Sequence, residues 1–283
     1  MENVNIFLIP TSGLGNRMRA ISSFIYFKSL LNADLKVIWI PDKGLNIGYQ
    51  ELFQKSSEFE LLAPEVKYKF FINRKSLTEN NFPVIRWIMT IYHNILCKAL
   101  GFDCLLMDKD VKKGVDHLKK ICARKKNILV ITGNQCLDYQ DGFRFFVPAQ
   151  EVASKVKAAR ENFRDHMIGI HIRRTDHKKA IENSPVGLFE QKIQAYLKVN
   201  PENFGAFLAT DDPETAEYLQ SKFPDVVVTY QKTFGRDTRE GMVDAAVEMF
   251  LLAGTKKIYG SYWSSFSGVA KRIYGTEIEI LHV

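Results

Sequence analysis

From Met167 to the end, the chain alternates short apolar runs with segments of helical period. Met167–Ile172, Phe204–Ala209, Val226–Tyr230, Lys257–Tyr259 and Glu277–Ile280 read as strands. Leu188–Leu197, Pro213–Phe223, Glu240–Ala253 and Phe266–Tyr274 read as helices between them. Strands that follow one another only after a helix are joined as parallel neighbours, because a tight hairpin can link only antiparallel ones. Pro213, placed after Asp211-Asp212, fits the first turn of a helix, and Gly254 fits a helix C-terminal cap.

The start of the chain repeats the pattern. Val4–Ile9 reads as a buried strand, Thr11–Asn16 as turn chemistry, and Met18, Ile21, Ile25 and Leu30–Leu31 as the apolar face of a helix. Leu35–Ile40 is a second strand, stopped by Pro41. Helices are expected near Ile85–Ala99, Val115–Arg124 and Val152–Phe163, with a strand at Ile128–Thr132. Pattern alone does not order the elements of 50–125 into a sheet. A chain of 283 residues suits two α/β domains. The expected division is 1–148 and 149–283, with Pro148 interrupting at the boundary. The fold class is therefore α/β, with doubly wound parallel sheets.

Charge is unevenly distributed. Residues 1–150 hold 21 Lys+Arg against 14 Asp+Glu, and the rest 18 against 18. Much of the excess falls in Lys109–Lys126, which is either a solvated helix face or a surface attracted to anionic partners such as membranes or acidic glycans. No helix-turn-helix, zinc-finger or aromatic RNA-binding signature accompanies it, so nucleic acid is not an expected partner. Cys97, Cys104, Cys122 and Cys136 contain no C-x-x-C pair, so no zinc site is expected, and free thiols in a reducing cytoplasm are the simplest reading. No signal peptide is expected at the N-terminus. The apolar stretch Pro83–Phe102 is interrupted by Arg86, His93, Asn94 and Lys98, and suits an amphipathic helix better than a membrane span.

In open α/β sheets ligands collect beyond the carboxyl ends of the strands. Four such places stand out. Gly13-Leu14-Gly15-Asn16-Arg17 joins the first strand to the first helix, where glycines allow close backbone approach and a helix N-terminus offers N–H groups to an anion. It is neither a dinucleotide fingerprint, because Met18 stands where Gly or Ala is needed, nor a P-loop. His171-Ile172-Arg173-Arg174-Thr175-Asp176 ends a strand. In extended chain His171 and Arg173 share a face, and an arginine fork there suits a diphosphate; a salt-bridge network is the structural alternative. Thr210-Asp211-Asp212-Pro213 could bind ribose, acceptor or metal, or cap a helix. Last come Asp244, with Glu248 one turn on, which alone would make a solvated face, and Ser264, Ser265 and Ser267 at a second helix N-terminus.

Taken in chain order, Gly13-Leu14-Gly15-Asn16, His171–Asp176, Thr210-Asp211-Asp212 and Ser264-Ser265-Phe266-Ser267 resemble the α1,2-/α1,6-/protein-O-fucosyltransferase superfamily, with H-I-R-R-T-D most like the α1,6 and bacterial nodulation branch. The resemblance implies a GT-B-like arrangement of two Rossmann-like domains with a cleft between them, the N-terminal on the acceptor side and the C-terminal holding GDP-fucose. It implies an inverting reaction with no metal and no cofactor. Arg173 would hold the donor diphosphate, with Arg174 supporting it; His171 would lie near the nucleoside and Asp244 would read the guanine edge. Ser264, Ser265, Ser267 and the Gly13, Gly15 and Asn16 backbone would meet phosphate, and Asp211 and Asp212 ribose or acceptor. The general base would be Asp176 or Glu182. Where the α1,6 branch has Lys after R-R-T-D this chain has His177, and Ile181 falls where a glutamate is expected. A glycan or lipid-linked glycan acceptor, a bacterial cytoplasmic setting and peripheral membrane contact through the basic N-terminal half are the further expectations, with the basic Lys109–Arg124 region on the acceptor side. The alternatives are a GT-B transferase using another nucleotide sugar and a non-catalytic nucleotide-sugar-binding protein.

Overall fold

The computed structural model describes residues 4–42, 44–72, 82–175, 178–199, 201–232 and 238–283. The chain divides into two compact units, Met1–Tyr49 with Lys55–Phe146, and Gln50–Gln54 with Val147–Val283. Residues 50–54 join the second unit through backbone bonds from Gln54 to Val147 and from Ala149 to Leu52, a pairing that sequence pattern does not announce.

The first unit runs β1 (Val4–Pro10), α1 (Leu14–Leu31), β2 (Ala33–Ile38), then, past α2 (Tyr49–Leu52), whose last three residues belong to the second unit, β3 (Glu60–Leu62), α3 (Val66–Ile72), α4 (Pro83–Ala99), β4 (Cys104–Met107), α5 (Asp108–Val111), α6 (Val115–Cys122) and β5 (Asn127–Thr132). Its sheet is parallel, in the order β3-β2-β1-β5-β4. Alternate residues sort to its two faces. Ile9, Ile38, Leu129 and Ile131 form one core with Tyr68 and Phe71 of α3, Cys97 of α4, and Phe102. Ile6, Leu8, Val37, Ile128 and Val130, the residues between, are fully buried on the other face, where α1 packs through Met18, Ile21 and Phe24. Helix α1 ends at Asn32, whose φ of 49° places it in the left-handed region that Asn tolerates. Strands β3 and β4 have three and four residues, too short for a periodic signal.

The second unit runs α7 (Gln150–Arg160), β6 (His166–Ile172), α8 (Lys178–Asn183), α9 (Val186–Val199), β7 (Phe204–Thr210), α10 (Pro213–Lys222), β8 (Val227–Thr229), α11 (Arg239–Ala253), β9 (Lys257–Ser261), α12 (Ser265–Tyr274) and β10 (Glu277–Leu281). Its sheet is also parallel, in the order β10-β9-β6-β7-β8. Ile168, Ile170 and Ile172 pack on one face with Phe189 and Ile193 of α9 and Leu219 of α10. On the other face α11 crosses β6 so closely that a Cβ on Gly169 would lie 2.8 Å from Thr255 Oγ1 and 3.0 Å from Leu252 Cδ2. The chain order switches direction between β6 and β9, the crevice where doubly wound sheets bind ligands.

Gly254 is the C-cap of α11, as expected, with a φ of −85° rather than a left-handed one, and a Cβ there would lie 3.1 Å from the Arg160 guanidinium carbon.

Candidate active site

Strand β6 ends at Ile172, and the next three residues converge on one carboxylate. Arg173 Nε lies 3.1 Å from Asp211 Oδ2, the Arg174 backbone N–H donates to Asp211 Oδ1 at 2.7 Å, and Thr175 Oγ1 donates to Asp211 Oδ2 at 2.7 Å. Asp211 follows β7, the hydrogen-bonded neighbour of β6, so strand pairing brings the two loops together. Burial would raise the Asp211 pKa, but the donors from Thr175 and Arg174 and the Arg173 charge outweigh it and hold the carboxyl below its ordinary range. Asp211 is thus an ionised brace that fixes the Arg173 guanidinium plane.

The second arginine has a different task. Arg174 donates to the carbonyls of Ile181 at 3.2 Å and Ser184 at 2.9 Å, at and just beyond the C-terminal end of α8. Burial lowers its pKa, with Asp212 and Asp211 opposing. Asp212 caps α10 by accepting from the Thr215 backbone N–H at 3.1 Å and from the Thr215 hydroxyl. Capping, one of the uses open to this pair in the sequence, is what Asp212 does.

His171 is buried and stacked on Phe266, with ring centroids 5.0 Å apart. Its Nδ1 has no hydrogen-bond partner. Burial pushes its pKa down to about 3; Asp211 opposes, while Arg173 and Lys232 add to the effect, so the ring is neutral at physiological pH. Ser261, the last residue of β9, donates to the His171 carbonyl at 3.2 Å and accepts from the Arg173 N–H at 3.1 Å. That hydroxyl stitches the two strands together at the switch point. Ser264 stands at the N-cap of α12, half-buried, and Ser265 is exposed. Ser267 is fully buried with its hydroxyl over Gly260, where a Cβ would come within 2.5 Å of it. Trp263, 61% exposed, precedes them at φ 59°, a conformation bulky residues seldom adopt.

Asp244 and Glu248 do not form a solvated face: both are buried. Asp244 accepts from Lys155 Nζ and from the Tyr230 hydroxyl, each at 3.2 Å. Burial and Asp244 push the Tyr230 phenol up to about 12. Glu248 pairs with Lys232 Nζ at 2.6 Å, and Lys232 also donates to the Thr210 carbonyl. Burial raises Glu248 to about 7 in spite of Lys232, with Asp244 and Asp211 adding their repulsion. Lys155, Tyr230 and Lys232 carry no motif in the sequence; only their partners Asp244 and Glu248, one turn apart, hint at the cluster.

In the first unit the Gly13–Arg17 loop is organised by its arginine. Arg17 is fully buried: Nε donates to the Ser12 carbonyl at 2.8 Å, Nη1 to the Ile40 carbonyl at 2.7 Å, and Nη2 pairs with Asp42 at 2.8 Å. The guanidinium sits over the Trp39 ring, 4.8 Å from its centroid. Burial lowers its pKa and Asp42 opposes. Ser12 holds a φ of 71°, and Gly133 beside it has no room for a side chain, since a Cβ would lie 2.8 Å from Ser12 Oγ. Gly13 is the N-cap of α1, Gly15 is buried in its first turn, and Asn16 accepts from Arg19 through Oδ1.

Thus His171, Arg173, Asp211, Asp244 and Ser264 all lie in the second unit, on or just beyond the strands and helices flanking its switch point. Gly13, Gly15 and Asn16 belong to the first unit. Glu182 is exposed on α8, and Asp176 and His177 fall outside the described residues. Among the described residues no group of three His, Cys, Asp or Glu side chains is placed to hold a metal ion.

No family model and no curated protein sequence matches the chain. Solved structures do. The fucosyltransferase NodZ from Bradyrhizobium is 16% identical with a TM-score of 0.60, over 96% of this chain and 93% of that one. NodZ α1,6-fucosyltransferase has also been co-crystallized with GDP and soaked with GDP-fucose. A mutant of Arabidopsis thaliana FUT1 in complex with GDP is 18% identical with a TM-score of 0.62, over 99% of this chain and 70% of that one. POFUT1 in its apo form is 11% identical with a TM-score of 0.62, over 100% of this chain and 99% of that one. The two Rossmann-like units of this chain therefore have the α/β, GT-B-like fold of solved fucosyltransferases.

Proposed function

We propose that this protein transfers fucose from GDP-fucose to a glycan or lipid-linked glycan acceptor, with inversion and without a metal ion. The observation that carries the reading is Arg173, held by Asp211 and Ser261 at the switch point of a fold shared with fucosyltransferases solved with GDP. The second unit takes the donor. Arg173 neutralises the diphosphate as the bond to the anomeric carbon lengthens, and backbone N–H groups at the start of α12 share that charge. Neutral His171 lies near the nucleoside and Asp244 accepts from the guanine edge. Ser264 and Ser265 contact phosphate.

The transition state is oxocarbenium-like, and the acceptor hydroxyl attacks from the face opposite the diphosphate. Its proton passes to a carboxylate, Asp176 or Glu182. A fixed guanidinium supplies the leaving-group charge stabilisation that a divalent cation supplies elsewhere. The acceptor is met by the first unit, which makes peripheral contact with an anionic membrane in the cytoplasm of a bacterium.

Calorimetric titration with GDP, in EDTA and in magnesium, tests the donor half. GDP is expected to bind equally in both, and Arg173→Ala to weaken binding by about 1.5–3 kcal/mol, as loss of a charge-assisted contact should. Binding that requires magnesium, or that ignores the substitution, overturns the reading. Product stereochemistry from GDP-fucose tests inversion.

A further inference from the structure

Helix α4 is apolar on two sides and covered on one. His93 stacks on Phe71 of α3 with centroids 5.8 Å apart, and Cys97 joins the core of the first unit. The opposite side carries Val84, Trp87, Ile88, Ile91 and Ile95, spaced three and four residues apart on one stripe. Trp87 is 65% exposed and Ile95 64%. A surface helix ordinarily turns polar residues outward, and an apolar stripe of this length marks an interaction site.

The helix itself carries charge of one sign, with Lys98 on the flank of the stripe and Arg86 on the side of His93 and Cys97. Within Pro83–Ala99 the charged residues are Arg86 and Lys98, and there is no Asp or Glu. On the same sheet face stand Lys67 and Lys69 of α3, and Lys36, whose ammonium lies over the Phe7 ring. The acids nearby are engaged or peripheral: Glu65 pairs with Lys67 at 3.0 Å, Asp103 accepts from the Lys126 and Asn127 backbone, and Glu60 lies on edge strand β3. A second copy of the chain is a poor occupant, since its helix offers no carboxylate to meet Lys98 at the end of the stripe. No described helix is long and apolar enough to cross a membrane, and half of α4 is already committed to the core.

We propose that α4 docks the first unit onto an anionic lipid surface. Trp87, Ile88, Ile91 and Ile95 enter the headgroup–acyl boundary, and Lys98, seven residues after Ile91 on the flank of the stripe, meets lipid phosphates. This names the surface for the membrane contact proposed above, and it stands independently of the donor. The Lys109–Lys126 run is not part of that surface. The free thiol of Cys122 on α6 lies against the free thiol of Cys104, whose strand partner Ile128 points to the sheet face away from α4.

The test is flotation of the nucleotide-free protein with phosphatidylcholine vesicles, with and without phosphatidylglycerol. Wild type is expected to float with the anionic vesicles, and Ile88→Asp or Ile91→Asp to bind at least about tenfold more weakly, with circular dichroism and GDP binding unchanged. Lys119→Glu is expected to leave flotation unchanged. Three results would each overturn the proposal: wild-type affinity in both aspartate variants, equal flotation with neutral vesicles, or a wild-type dimer in sedimentation that the variants dissociate.

Discussion

The Arg173 guanidinium and the Asp211 carboxylate, 3.1 Å apart, are brought together by two neighbouring parallel strands that end at the same level. Asp211→Asn keeps the shape but removes the charge that orients Arg173. GDP affinity is expected to fall by about 1–2 kcal/mol, less than for Arg173→Ala, because the guanidinium remains but is no longer held. Calorimetry on the single and double variants checks this: if Asp211 acts through Arg173, the double variant is no worse than Arg173→Ala alone.

Two buried groups give opposite pH dependences. His171 takes a proton in the folded protein only near pH 3 but in the unfolded chain near 6.5, so its contribution to stability is lost as pH falls through that window. Glu248 holds its proton up to about pH 7 in the fold but releases it near 4.5 when unfolded, so stability is lost as pH rises between those values. Each slope approaches about 1.4 kcal/mol per pH unit, and between roughly pH 4.5 and 6.5 they oppose each other. Urea unfolding across that range is expected to show stability rising with pH in Glu248→Gln and falling in His171→Asn. Parallel curves for the two variants would refute the assignment.

Arg17 is expected to act through stability. Arg17→Met takes the side-chain donor from the Ser12 and Ile40 carbonyls and the cation from Asp42, which keeps the Gly44 and Leu45 N–H groups. A loss of about 3 kcal/mol is expected in denaturant unfolding. GDP affinity per folded molecule should change less than it does in Arg173→Ala.

Gly260→Ala places a methyl within 2.5 Å of Ser267 Oγ and 3.0 Å of its Cβ. The start of α12 must then shift, at an expected cost of about 1–3 kcal/mol in thermal unfolding. Ser267→Gly removes both atoms and should restore most of that loss in the double variant.

The alternation of β7, α10, β8, α11, β9, α12 and β10 was legible because the elements carry local signals: short apolar runs for strands, three-and-four spacing for helices, Pro213 and Gly254 at helix ends. Pro213 at the start of α10 is a local effect and needed no tertiary partner. The His171–Arg173 stretch stood out because charged residues at the end of an apolar strand are costly unless they have partners. Strands β3 and β4 did not stand out, since three or four residues define no period. Asp244 and Glu248, four apart on a helix, have the spacing of a solvated face; their burial depends on Lys155 and on Tyr230 and Lys232, which arrive from two other segments.

The sequence by itself determined the class of fold and the segments that end in chemistry, because backbone period, caps and strand-end residues are local properties. Only the tertiary structure decided which partner each charged group has. It gave Arg173 to Asp211 and Arg174 to the α8 carbonyls, buried Arg17 under the loop that it closes, and left one side of α4 uncovered. Those outcomes depend on which strands lie side by side and what packs over them, and contacts between residues tens of positions apart leave no periodic trace in a single chain.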